Sequence, residues 1–160
     1  MTHPARGVDN PRAEIPDQDL APIERLLSVM AALRDPERGC PWDLEQDFES
    51  LTKHTIEEAY EAVEALRNGD PEEIKDELGD LLLQVVFYAQ LAKERGWFTF
   101  EDIAAHTAEK YITRHPHVFG NETVESVTDV NQTWDRVKDT EDKSRKQQSL
   151  LDDVPLALPA

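Results

Sequence analysis

Between Leu81 and Phe87 the chain reads Leu-Leu-Leu-Gln-Val-Val-Phe, apolar almost all round, inside a longer segment that carries helix punctuation at both ends. Asp70 is a good N-cap, Pro71 suits the first helical position, and Glu73 stands three residues after the cap as in a capping box. The segment is expected to be helical to about Arg95, before Gly96. A helix that is apolar on nearly every side in a soluble chain is covered on most sides, so this one is the expected core of the fold.

The other segments arrange themselves around it. Ile23, Leu26, Leu27, Met30 and Leu33 recur at helical spacing between Leu20 and Leu33, and Asp35-Pro36 ends that run. A second helix is expected from about Leu51 to Asn68, with Ile56, Ala59, Val63 and Leu66 as one stripe and Gly69 as its stop. Thr99 caps a fourth that should reach about Arg114 before His115-Pro116, and a weaker fifth spans about Val127 to Lys146. No stretch alternates like a strand. The expected fold is all-α, a bundle of about four to five helices with short connections and antiparallel neighbours. Residues 1–19, with Pro4, Pro11 and Pro16 among polar neighbours, read as a disordered N-terminal arm. The folded domain is expected over 20–148, and 149–160 reads as a C-terminal tail or linker.

At 160 residues and 39% hydrophobic content the chain has enough for one packed domain. Its 17 Lys+Arg against 34 Asp+Glu give a net charge of −17, a field that opposes a nucleic-acid backbone or an anionic membrane. A phosphorylated substrate would need local help, and a divalent cation in an acidic site reverses the local sign of the field. The single cysteine, Cys40, permits no internal disulfide and no thiolate cluster, which suits a reducing compartment. With no signal-peptide core at the start and no run near ~20 apolar residues, the protein reads as soluble and cytoplasmic.

The acids that matter sit where they should be costly. Steps of three and four from Glu77 reach Asp80, Leu81, Gln84, Tyr88 and Leu91, so two carboxylates head a stripe that continues into packed positions. Buried carboxylates are normally protonated, ion-paired or bound to metal. The preceding helix answers with Glu57, Glu58 and Glu61, and only Lys53 and Lys75 are cations nearby. Glu58 and Glu61 are three apart, as are Glu77 and Asp80, and the short Leu66–Asp70 connection makes the helices an antiparallel hairpin. Four carboxylates can then converge on one point, a hard all-oxygen site for Mg²⁺ or Mn²⁺. Alone, Glu57, Glu58, Glu61 and Glu64 would read as a solvated acidic face; the second pair on the apolar helix favours metal. A di-iron bundle is disfavoured, because none of His3, His54, His106, His115 or His117 lies three residues after a Glu.

These residues resemble the MazG family of nucleoside triphosphate pyrophosphohydrolases. The family's E-E-x-x-E then E-x-x-D pattern stands as Glu57-Glu58-Ala59-Tyr60-Glu61 and Glu77-Leu78-Gly79-Asp80, and the likeness extends to RDPERGCPWDLEQDF, GDLLLQVVFYAQLA and RHPHVFG. The resemblance implies a MazG-like helical bundle completed by dimerisation, and a Mg²⁺-dependent hydrolase that cleaves an NTP or dNTP to the monophosphate and pyrophosphate. The apolarity of the core helix also exceeds what one small bundle needs to cover, which points to a homodimer on physical grounds. Glu58, Glu61, Glu77 and Asp80 are the expected metal ligands. Glu57 or a ligating carboxylate such as Glu61 would help deprotonate the attacking water. Glu57 could equally be a surface partner of Lys53 at i, i+4. Trp42 is a candidate for stacking on a base or for plugging the core, and Lys53, Lys110 and Arg114 for phosphate contact or ordinary surface charge. His115 and His117 read as turn residues. A non-catalytic metal-binding dimerisation or regulatory module is the competing function, and a dCTP- or dUTP-specific house-cleaning enzyme a third.

Overall fold

The computed structural model describes residues 12–148 of the chain, so that residues 1–11 of the expected arm (1–19) and the expected tail at 149–160 lie outside the described residues, while 12–19 carry no helix or strand. The described residues are helical with no strand: α1 Pro22–Leu33, α2 Pro41–Glu45, α3 Phe48–Asn68, α4 Pro71–Glu94, α5 Phe100–Thr113, α6 Pro116–Phe119 and α7 Val127–Gln148. They fall into two compact units, the first ending at Ile103 and the second beginning at Ala104.

In the first unit α3 and α4 form the antiparallel hairpin, and α1 packs on α4. Local chemistry sets the ends. Asp47 caps α3 by accepting from Ser50 N at 2.7 Å, and Ser50 Oγ accepts from Asp47 N at 2.9 Å, a reciprocal box that starts the helix three residues before Leu51. Gly69 ends α3 at φ 80, a left-handed position that costs other residues, and Asp70 caps α4 through Glu72 N. The core is Met30, Leu51, Val86, Phe87 and Leu91, with Leu26, Leu27, Phe48, Leu83, Tyr88 and Phe100 against it. Each fully buried side chain of this kind contributes roughly 1.5–3 kcal/mol.

Three differences from the sequence expectations stand out. The short α2 was not among the expected helices, and the His115–His117 turn forms the short α6. On α3 the inward face is Leu51, Ala62 and Ala65, whereas Ile56, Val63 and Leu66 of the expected stripe are exposed. Helix α4 is likewise not covered on all sides, with Leu78, Leu82 and Val85 exposed.

Arg34, just past α1, organises the Cys-Pro-Trp-Asp segment. Its side chain, 10% exposed, donates to the carbonyls of Asp43 at 2.6 Å and Gln46 at 3.1 Å, grips Glu94 at 2.7 Å, and lies over the Phe87 ring. Helix α2 and Trp42 are thereby tied to α1 and to the end of α4.

In the second unit Arg114 pairs with Glu141 of α7 at 3.0 Å and stacks over Trp134. Trp134 also meets Tyr111 and His115 edge-on, and His115 Nδ1 is held by the Tyr111 carbonyl at 2.6 Å.

Candidate metal centre

The hairpin brings the acid pairs together. Carboxylate oxygens of Glu58, Glu77 and Asp80 lie within 4.8 Å of one another. Glu61 falls outside that tight group, on the exposed side of α3, yet its charge acts on both Glu58 and Glu77. Helical rotation explains the difference: three residues advance about 300°, so Glu58 turns further toward α4 than Glu61 does.

Glu58 and Glu77 are half-buried, and one carboxylate oxygen of each, Glu58 Oε2 and Glu77 Oε2, is buried without a hydrogen-bond partner. Burial first, then the charges of Glu61 and Asp80, hold the Glu58 carboxyl above its usual range; Glu61 also accepts a hydrogen bond from its protonated form, and Glu57 adds repulsion. Glu77 is raised by burial, then by Glu61, Asp80, Asp76 and Glu58. Among the described residues no basic side chain pairs with them, and Lys75 is engaged with Glu72 at 2.7 Å. Orphaned buried oxygens, like charges and an all-oxygen donor set fit a hard divalent cation.

The remaining candidate residues separate by unit. Trp42 and Lys53 line one shallow pocket of the first unit with Gln46, Ser50 and His54. Trp42 is half exposed, so it does not plug the core, and its ring meets that of His54 edge-on with centroids 5.5 Å apart. Glu57 is 65% exposed and approaches His54 Nδ1 at 3.7 Å rather than pairing with Lys53. Lys110 and Arg114 line one pocket of the second unit, with Glu141 already compensating Arg114. The histidine turn is ordered as α6, where His117 Nδ1 is buried without a partner. The contacts of His54 with Trp42 and Glu57 were not foreseen from the sequence, although a ring one turn before Glu57 and Glu58 was visible there.

Among the described residues the fold is all-α, and its central hairpin gathers three carboxylates at one point. Residues 46–119 match the family model described as the MazG nucleotide pyrophosphohydrolase domain. The chain is 49% identical over 138 residues to the nucleoside triphosphate pyrophosphohydrolase of Escherichia coli and 45% identical over 138 residues to that of Thermotoga maritima, in each case covering 86% of this chain and 52% of the relative. A 26.1 kDa protein of Streptomyces cacaoi, described as uncharacterized, is 38% identical over 98% of this chain and 67% of its own length. A crystal structure of a mazG-related protein from Thermotoga maritima superposes with a TM-score of 0.60 at 27% identity, over 72% of this chain and 98% of that one. The chain belongs to the MazG family. It spans about half the length of the Escherichia coli and Thermotoga maritima relatives.

Proposed function

We propose that this chain is a Mg²⁺-dependent nucleoside triphosphate pyrophosphohydrolase domain, converting an NTP or dNTP to the monophosphate and pyrophosphate in the cytoplasm. The observation that carries the reading is the convergence of Glu58, Glu77 and Asp80 within 4.8 Å, with two of their oxygens buried and unpartnered. Glu58, Glu77 and Asp80 would hold the ion and Glu61 would complete its shell from the exposed side. Mg²⁺, or Mn²⁺ in its place, supplies charge neutralisation for the phosphate oxygens and activation of water.

The chain's own groups then have defined work. Glu57, exposed beside His54, takes the proton of the water that attacks the α-phosphorus; the bond to the bridging oxygen breaks, and pyrophosphate leaves. Trp42 offers a face for the base, and Lys53 in the same pocket offers a cation for phosphate. Lys110 and Arg114 are the second unit's phosphate candidates, Arg114 held ready by Glu141. The exposed Ile56, Tyr60 and Val63 on α3 and Leu78, Leu82 and Val85 on α4 recur at helical spacing, and we assign them to a homodimer contact.

Pyrophosphate release from a panel of NTPs and dNTPs, with Mg²⁺ and with chelator, tests the proposal. Turnover is expected with Mg²⁺ alone, and Glu61→Gln and Asp80→Asn should each lower it by about 10²-fold or more, the scale of losing an electrostatic stabiliser. No turnover on any nucleotide would leave the regulatory-module reading standing instead.

A further inference from the structure

One turn below the acids, α3 and α4 are joined by hydrogen bonds that the catalytic reading does not use. The Thr55 hydroxyl lies 3.0 Å from Gln84 Oε1, 2.6 Å from the Tyr88 hydroxyl and 3.1 Å from the Leu51 carbonyl. A threonine has one proton to give. With carbonyl oxygens on two sides, Thr55 donates to one of them and Tyr88 donates to Thr55. Gln84 is only 8% exposed, the one buried polar side chain among the described residues of the first unit. Thr55 precedes Glu58 by three residues and Gln84 follows Asp80 by four, so the layer sits about one helical turn beneath the carboxylates on both strands of the hairpin.

These are the side-chain hydrogen bonds that bridge α3 and α4 among the described residues. The rest of the inward face of α3 is Leu51, Ala62 and Ala65, apolar surfaces whose contacts resist sliding only weakly. Above the layer, carboxylate oxygens of Glu58, Glu77 and Asp80 crowd within 4.8 Å of one another across the same seam. A slip of one residue, about 1.5 Å, would separate ligands that must meet on one ion.

We propose that Thr55, Gln84 and Tyr88 are positioning residues: a polar pin that fixes the register of α3 against α4 and holds the carboxylates in place for the cation. The inference rests on the metal reading above. A buried glutamine is costly in an apolar hairpin unless its geometry is used, and here its Oε1 is engaged by the neighbouring helix.

The triple variant Thr55→Val, Gln84→Met, Tyr88→Phe removes every member while keeping shape, so no buried polar group is orphaned and folding should be preserved. Mn²⁺ binding, read by electron paramagnetic resonance or calorimetry on the nucleotide-free protein, is expected to weaken about tenfold, the lower end for groups that orient metal ligands. kcat should fall by a similar factor while the nucleotide KM at saturating Mn²⁺ stays within about twofold. Thr55→Ser keeps the hydroxyl and should bind Mn²⁺ as the wild type does; if the triple variant does not fold, Thr55→Val against Thr55→Ser carries the same comparison. A folded variant that binds Mn²⁺ within twofold of wild type overturns the pin while leaving the metal site standing. A wild-type protein that binds no Mn²⁺ overturns the metal reading and the pin together.

Discussion

Truncating Arg34 to alanine should cost both stability and nucleotide affinity, because one side chain holds the loop that presents Trp42. The guanidinium, on a side chain 10% exposed, makes two charge-assisted bonds to the Asp43 and Gln46 carbonyls at 2.6 and 3.1 Å. Such bonds contribute roughly 1.5–3 kcal/mol each. The carbonyls sit at the end of the short α2, where water can replace the donor, so the lower value applies and the pair amounts to about 3 kcal/mol. The Glu94 ion pair adds little, since that carboxylate is 37% exposed and rehydrates; exposed pairs contribute about 0–1 kcal/mol. For a chain of this size about 3 kcal/mol lowers Tm by about 6–12 °C. Arg34→Lys should recover part of the loss, because one ammonium cannot reach both carbonyls and the carboxylate together. Urea titration at constant m measures the stability change, and pyrophosphate release measures the consequence for the site: KM should rise more than kcat falls. A stability loss under 1 kcal/mol would refute the tether. An unchanged KM in a destabilised variant would sever the tether from the site.

Gly39→Ala should also open this loop: a Cβ there would collide with the Leu33 carbonyl and stand 2.5 Å from Asp35 O and 2.9 Å from Asp35 N. Relief breaks the Gly39 N–Asp35 O and Cys40 N–Leu33 O bonds, a loss of about 2 kcal/mol visible as a lower Tm, and an unchanged Tm would contradict the packing. Glu58 and Glu77 are raised, so between the ordinary value of 4.5 and their folded values the native state binds more protons than the unfolded one. Ion-free stability from these groups therefore falls as pH rises through that interval; scanning calorimetry of wild type against Glu58→Gln should show the variant gaining relative stability toward neutral pH, and the opposite trend would overturn the assignment. Mg²⁺ should raise the wild-type Tm more at pH 7.5 than at pH 5, and an equal increment would deny that the ion relieves this repulsion. Tyr60→Glu with Leu82→Glu, on the exposed stripes of α3 and α4, should convert a dimer to monomer in light scattering without unfolding the hairpin.

Which parts of this architecture can be read from sequence depends on how local their causes are. Helix α4 was legible because Asp70, Pro71 and Gly69 act within a few residues, and Thr99 was legible because it and Asp102 cap each other across three. Helices α2 and α6, five and four residues long, are too short to display periodicity. The face of α3 was misread for another reason. Hydrophobic counting favours Ile56, Val63 and Leu66, but the hairpin packs on the smaller Ala62 and Ala65, which let the helices approach, and it turns Glu58 inward with them. The acid pairs were visible through their spacing of three, whereas the offset of Glu61 from the tight group follows from rotation about the helix. Gln84 and Tyr88 belong to the same stripe as Glu77 and Asp80, yet their pairing with Thr55 needs the partner helix in place.

That no basic side chain pairs with the acid cluster among the described residues agrees with the proposed metal role. An arginine placed beside Glu58 and Glu77 would satisfy the two orphaned oxygens and lower both carboxyls, and the ion-free hairpin would be more stable for it. It would also fill the space between the carboxylates with a fixed cation that cannot bridge to phosphate. Among the described residues, Arg34 on Glu94 and Arg114 on Glu141 anchor helices away from the cluster. The repulsion left at the centre is then borne by the buried contacts of Leu51, Val86 and Phe87 below it, and under the proposed function a divalent ion would relieve it while still offering coordination to a substrate.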